Sequence, residues 1–133
     1  LLKQIGGFDE LFIKGLGDYH EADVALKIKK IGFKLIFDPD VKIQHNVEAG
    51  IVEKARPDAY NRIQNFIIFY FRFFEIKDLD QLLRFLANLS LQNAYYVYKF
   101  LTTGNINQLG VIVGTFVGFI RVFFLKEHEI KKN

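Results

Sequence analysis

The segment from Leu109 to Leu125 restricts the possible folds of this chain more than any other stretch. Its 17 residues contain a single charged side chain, Arg121. A helix that is apolar nearly all round is either buried among other helices or in contact with a membrane, and this one is shorter than the roughly 20 apolar residues that span a bilayer. Glycine recurs in it at every fourth position: Gly110, Gly114 and Gly118. We therefore expect a helix over about 106–125 with a small-residue stripe that lets a second helix approach closely.

Two further helices are predicted before this segment. The first begins at Pro57, which suits the first position of a helix, and it runs to Phe74 with an apolar surface nearly all round after Ile63. The second has Asp78 as its N-cap and extends to about residue 101, before Gly104 and the following asparagine end it. The second part of the chain is thus predicted to be mostly α-helical, with about three helices.

Composition changes near Pro57 and suggests two parts, 1–56 and 57–133. The first part carries nine basic and nine acidic side chains, whereas the second carries nine basic and six acidic ones and holds 16 of the 21 aromatic residues. A net charge of +3 is too small to indicate nucleic-acid binding. The absence of cysteine excludes disulfides, thiolate metal sites and cysteine nucleophiles.

Three interpretations of the last helix remain open. It lies in the plane of a membrane interface, with Lys126, Lys131 and Lys132 meeting anionic headgroups. Alternatively, it belongs to a soluble helical hairpin that packs on the first part of the chain. In a third interpretation it is an oligomerisation tail whose contact depends on Gly114.

The first part begins with a glycine turn followed by a short helix. Gly6-Gly7 permits backbone conformations with positive φ, and Phe8 is expected to fill a core. Apolar residues at i, i+4 and i+7 predict a helix from His20 to Ile31, and Gly32 is well suited to end it as the C′ residue. Acidic side chains in and before the first turn favour the helix dipole: Asp18, Glu21 and Asp23. Asp23 and Lys27 form an i, i+4 pair.

Two short strands are predicted after this helix. Lys34 to Phe37 is rich in apolar and aromatic residues, and Val41 to His45 alternates apolar and polar side chains, as a half-buried strand does. Asp38-Pro39-Asp40 between them predicts a turn. Together with the helix, these strands indicate an α/β arrangement in the first part.

These motifs, in this order, resemble the second half of the catalytic domain of family 2 glycosyltransferases, which are inverting enzymes of the GT-A type. Gly6-Gly7-Phe8-Asp9-Glu10 matches the segment that precedes the acidic motif in that family, and residues 21–27 match the acidic motif itself with changes. Gly32-Phe33, the turn at 38–40 and His45 follow in the family's order. The resemblance covers about 45 of the 133 residues and implies an α/β fragment of a GT-A-like domain.

The resemblance implies a role for each matching residue. Glu21 stands where the family has the general base that deprotonates the acceptor hydroxyl, with Asp18 as a rival for that role. Asp9, Glu10 and Asp23 stand among the acids on the acceptor side. His45 stands where several members have a ligand for the divalent metal, Mn²⁺ or Mg²⁺, that holds the diphosphate of the donor.

The chain departs from the family pattern at two positions and in its extent. His20 replaces the first acid of the motif, and Lys27 replaces its arginine. The family's nucleotide-binding half, with its strand-borne Asp-x-Asp motif, has no counterpart in these 133 residues, so we expect this chain to be part of something longer.

The sequence thus predicts residues 1–56 to be the acceptor-side half of a GT-A-like domain and residues 57–133 a helical, membrane-associated region. The implied activity is transfer of a sugar from a nucleotide-sugar to a hydroxyl of a lipid-linked or polysaccharide acceptor, at the cytoplasmic face of the cell membrane. We expect the isolated chain to be inactive without the nucleotide-binding half. The alternative function is a non-catalytic, membrane-associated helical module or a degenerate transferase remnant.

Overall fold

The computed structural model describes residues 1–9, 12, 19–42 and 59–128, with side chains described up to residue 124. Contacts within the chain divide it into two compact units, 1–56 and 57–133. In the described residues the regular structure consists of four α-helices and one 3₁₀ turn.

Helix α1 of the first unit spans His20–Lys30 and confirms the predicted helix. It ends in a Schellman motif: the Gly32 N–H donates to the Lys29 carbonyl at 3.0 Å, and the Phe33 N–H donates to the Ile28 carbonyl at 3.3 Å. Gly32 has a φ of 92°, a left-handed conformation that favours glycine. The predicted role of Gly32 as the residue that ends α1 is therefore confirmed.

The predicted α/β fold class is wrong, because the described residues contain helices and no strand. The segment from Lys34 to Phe37 has no regular structure, and Phe37 is 89% exposed. Of the second predicted strand, Val41 and Lys42 lie in the described part and are not in a strand either; residues 43–45 lie outside it. A strand is stable only when another strand satisfies its backbone groups, and the described residues offer Lys34–Phe37 no such partner.

The turn between the two predicted strands is nevertheless present. The Asp40 N–H donates to Oδ1 of Asp38 at 3.0 Å, and the Val41 N–H donates to the Asp38 carbonyl at 3.3 Å. A side-chain oxygen that accepts a bond from two residues on is the local signature of an Asx turn. Turn chemistry is local, and so this prediction is confirmed although the flanking strands are absent.

The second unit contains three longer helices. Helix α2 spans Ala59–Phe73, α3 spans Leu79–Thr103, a 3₁₀ turn covers Ile106–Leu109, and α4 spans Gly110–His128. The predicted helices are thus confirmed, with a 3₁₀ turn replacing the first four residues of the last one.

Side-chain and glycine caps fix the ends of α3. Oδ1 of Asp78 accepts a bond from the Gln81 N–H at 2.8 Å, which confirms the predicted N-cap. At the other end Gly104 has a φ of 67°, and its N–H donates to the Phe100 carbonyl at 2.8 Å. Both caps were predictable because each depends on a residue type within one turn of the helix end.

The glycine stripe of α4 packs against α2 of the same chain. A Cβ atom built on Gly114 would lie 2.5 Å from the Tyr60 carbonyl oxygen and 2.6 Å from Cγ2 of Ile63. One built on Gly118 would lie 2.9 Å from Cδ1 of Ile67. The contacts advance along both helices together, so α2 and α4 run parallel, and the stripe is occupied within the chain rather than free for an oligomer.

Aromatic side chains join α3 to this pair of helices. Phe85 of α3 is almost completely buried and stacks on Phe66 of α2, with ring centroids 5.9 Å apart. Its ring also lies 4.6 Å from that of Tyr70 and 6.1 Å from that of Phe119 on α4. Phe85 therefore lies where the three helices meet, and burial of an aromatic ring is the largest apolar contribution that one side chain makes.

Candidate functional site

The glycine turn that opens the acidic region is present as predicted. Gly6 and Gly7 both have positive φ, 78° and 72°, and the Gly7 N–H donates to the Leu2 carbonyl at 2.9 Å. Phe8, which follows, does not fill a core as expected, because it is half exposed; Phe12 is the fully buried aromatic residue of this segment. The ring of Phe8 instead meets His20 edge-on, with centroids 5.6 Å apart.

A lysine connects two of the predicted acceptor-side acids. Nζ of Lys27 lies 2.7 Å from Oδ2 of Asp23 and 3.8 Å from Oδ2 of Asp9. The Asp23 side chain is completely buried, and those of Lys27 and Asp9 are mostly buried. The i, i+4 pair predicted from the sequence is thus confirmed, and the structure adds Asp9 to it. Because a buried carboxylate is costly unless it is paired, Lys27 stabilises this corner of the fold.

Glu21, the predicted general base, lies on a different side of α1 from Asp23. Two residues along an α-helix correspond to a rotation of about 200°, and the Glu21 side chain is 91% exposed. Its Oε1 lies 4.0 Å from Nε2 of His20. The structure therefore presents an accessible carboxylate in the first turn of α1, beside an imidazole that the Phe8 ring contacts.

The residue that precedes this turn has an unusual backbone conformation. Tyr19 occupies the N-cap position of α1 with a φ of 75°, and it is the non-glycine residue with positive φ in the described part of the chain. Bulky residues seldom adopt this conformation, which costs about 1–3 kcal/mol and is found preferentially at functional sites. The strain at Tyr19 fixes where the chain enters the turn that holds Glu21.

The remaining predicted site residues lie outside the described part of the chain. They are Glu10, Asp18 and His45. Within the described part, no group of three His, Asp or Glu side chains is placed to hold a metal ion. The structure thus brings Asp9 and Asp23 together around Lys27 and leaves Glu21 exposed nearby on the same helix.

Two features of the site were not expected from the sequence. The first is the contact between Asp9 and Lys27, which are 18 positions apart and do not share a helix, so helical spacing does not predict it. The second is the positive φ of Tyr19, for which glycine or asparagine would have been the usual signal.

The chain matches no protein-family model, no curated protein and no solved structure.

Proposed function

We propose that this chain is the acceptor-side part of an inverting sugar transferase that resembles family 2 glycosyltransferases. The observation that carries the proposal is the exposed carboxylate of Glu21 in the first turn of α1, directly after the strained Tyr19. Sugar transfer is proposed as the reaction because the order of the motifs around Glu21 resembles that of family 2 glycosyltransferases. Exposure matters because a general base must come within hydrogen-bond reach of an acceptor hydroxyl.

In this mechanism Glu21 accepts the proton of the acceptor hydroxyl while the oxygen attacks the anomeric carbon of the donor. The bond from that carbon to the diphosphate oxygen breaks in the same step, and the nucleoside diphosphate leaves with the bonding electrons. Glu21 lies in the first turn of α1, where the helix dipole attracts negatively charged side chains. The buried Asp9–Lys27–Asp23 cluster holds the glycine turn against α1 and so acts as a positioning element. The resemblance implies a divalent metal at the donor diphosphate, with His45 as a ligand, but no step of the proposal is assigned to it.

Sugar transfer by the natural full-length protein tests the proposal. Membranes that carry it are incubated with radiolabelled nucleotide-sugars, and both the incorporation of sugar and the release of nucleotide are followed. We expect incorporation with one donor and none with the isolated 133-residue chain. Turnover by the isolated chain would contradict the assignment of the nucleotide site to residues outside it, and absence of transfer by the full-length protein with every donor would contradict the proposal itself.

A second candidate function is a membrane-associated helical module without catalytic activity. The specific observation in its favour is the exposed surface of α4, where every exposed side chain between residues 110 and 124 is apolar. The departures at His20 and Lys27 and the absence of strands in the described residues point the same way. Replacement of Glu21 separates the two candidates, because the module requires no carboxylate at that position.

A further inference from the structure

One side of α4 is exposed and apolar. Up to residue 124 all exposed side chains of α4 are apolar, and we call them the α4 face: Ile112, Val113, Phe116, Phe119, Ile120, Phe123 and Phe124. At 100° per residue these seven positions occupy an arc of about 140°. The stretch from Ile106 to Phe124 is long and apolar enough to cross a membrane, yet only 22% of it is buried within the chain. A core helix of a soluble protein would be covered on most sides.

Up to residue 124, α4 has two polar side chains, which point away from this face and have partners inside the unit. The Thr115 hydroxyl donates to the Val111 carbonyl at 2.9 Å and lies 3.3 Å from the side-chain amide of Asn93 on α3. Nη1 of Arg121 donates to Oε1 of Gln64 at 3.1 Å. Polar groups that are satisfied inside a helix assembly, with apolar groups outside, are the arrangement that a lipid environment requires.

The helix that packs on α4 determines how the unit can meet a bilayer. Helix α2 runs parallel to α4 along the glycine stripe, and its uncharged run between Arg62 and Arg72 is only residues 63–71. Nine residues extend about 14 Å, about half of the 30 Å hydrocarbon core. If the pair crossed the membrane upright, one of these arginines would have to enter the hydrocarbon region, at a cost of several kcal/mol.

We propose that α4 lies in the plane of a membrane interface, with the α4 face buried among the acyl chains of one leaflet. The glycine stripe is on the opposite side of α4, so α2 and its arginines lie on the side of α4 that faces away from the acyl chains. Lipid fits this surface better than a protein partner, because protein interfaces surround their apolar centre with a polar rim, whereas α4 exposes no polar side chain between residues 110 and 124. The net charge of +3 in residues 57–133 favours anionic lipids.

This inference depends only on the packing of the helical unit. It holds for either candidate function, and its failure would leave the role of Glu21 untouched.

Single tryptophan probes test the depth of α4, since the chain contains no tryptophan. The variants Phe116→Trp and Phe123→Trp place the probe on the α4 face, and Asn88→Trp places it at an exposed polar position of α3 as the control. With vesicles of phosphatidylglycerol and phosphatidylcholine, we expect blue-shifted emission and quenching by brominated lipid for the first two probes and neither effect for the control. Because α4 lies in the plane, residues 116 and 123 should have the same depth.

Three results would overturn the proposal. Unchanged emission of both face probes with vesicles would show that lipid does not cover the face. Depths that differ by about 10 Å, the rise over seven residues, would indicate an upright helix. Emission that is already blue-shifted without lipid, together with a doubled mass in solution, would show that a second copy of the chain covers the face.

Charge introduced on the α4 face provides an independent measurement. The double variant Phe116→Asp/Phe123→Asp should lower vesicle partitioning at least about tenfold, whereas the control Asn88→Asp should change it less than about twofold. Both phenylalanines are about 70% exposed, so the helical circular dichroism in buffer should be unchanged. Equal partitioning of the double variant and the control would contradict lipid burial of the face.

Discussion

Replacement of Gly114 by alanine should weaken the contact between α2 and α4. The added Cβ atom would lie 2.5 Å from the Tyr60 carbonyl oxygen, 3.0 Å from the Tyr60 Cα atom and 2.6 Å from Cγ2 of Ile63. Ordinary contacts between such atoms are about 3.5–4.0 Å. Two of the three obstructing atoms belong to the backbone of α2 and cannot rotate away, so the helices must separate by roughly an ångström.

The magnitude follows from two opposing terms. Overpacking of this kind costs about 1–3 kcal/mol, and alanine is favoured over glycine inside a helix by about 1 kcal/mol. Because the obstruction at Gly114 is mainly backbone, the upper part of the first range applies. We expect Gly114→Ala to lower the free energy of unfolding by about 1–2 kcal/mol.

The other two glycines of the stripe serve as matched controls. At Gly118 the nearest atom is Cδ1 of Ile67 at 2.9 Å, which is the mobile end of a side chain, and at Gly110 it is Cβ of Tyr60 at 3.1 Å. The packing cost of their alanine variants should therefore about equal the gain in helical preference, with a net effect on the free energy of unfolding near zero. Urea unfolding followed by circular dichroism, with hydrogen exchange of the α4 amides, measures the order of the three variants.

A result of the opposite sign would refute the packing argument. If Gly114→Ala stabilised the protein by the full 1 kcal/mol of helical preference, there would be open space beside Gly114 and α2 would not lie against the stripe. Equal destabilisation by all three variants would also contradict the argument, because the obstruction differs in kind among the three positions.

Two further substitutions test local parts of the fold. Lys27→Met should destabilise the first unit by about 3 kcal/mol, because it leaves the buried Asp23 carboxylate without its cation. Loss of hydrogen-exchange protection in α1 measures this effect. The double variant Lys27→Met/Asp23→Leu should recover most of the lost stability, and an α1 that stayed unprotected in the double variant would contradict the explanation. Asp78→Ala should lower the free energy of unfolding, measured with urea, by about 1 kcal/mol, because it removes the N-cap of α3. Asp80→Ala breaks an exposed ion pair with Arg84 and should cost at most about 0.5 kcal/mol. Equal costs for the two variants would contradict the capping role of Asp78.

Features that depend on neighbouring residues were predictable from the sequence. The end of α1 at Gly32, the N-cap at Asp78 and the turn at Asp38 each follow from one residue type and contacts within a few positions. The i, i+4 pair of Asp23 and Lys27 follows from helical spacing in the same way. Local backbone chemistry decides such features, whatever the rest of the chain does.

The predicted strands failed because strand formation depends on residues elsewhere in the chain. The composition of Lys34–Phe37 is suitable for a strand, but no described segment pairs with it, and Ile36 and Phe37 remain exposed. Preference for a strand mainly reflects packing against neighbouring strands. A sequence pattern therefore cannot establish a strand by itself.

Contacts between distant residues were only partly predictable. The spacing of the glycines indicated that some helix approaches α4 closely, but it did not identify α2 as that helix. The bond between Arg121 and Gln64 joins residues 57 positions apart, and the sequence offered no signal for it. In the candidate site, Asp9 and Asp23 were both singled out, yet their shared contact with Lys27 appears only in the structure.

The rate of sugar transfer by Glu21→Gln tests the central proposal most directly. In the natural full-length protein this substitution keeps the shape of the side chain and removes the base, so transfer should fall about 100-fold or more. Glu75→Gln, which changes a similarly exposed glutamate in the second unit, should leave the rate within about twofold. Equal rates for the two variants would contradict the role of Glu21 as the general base.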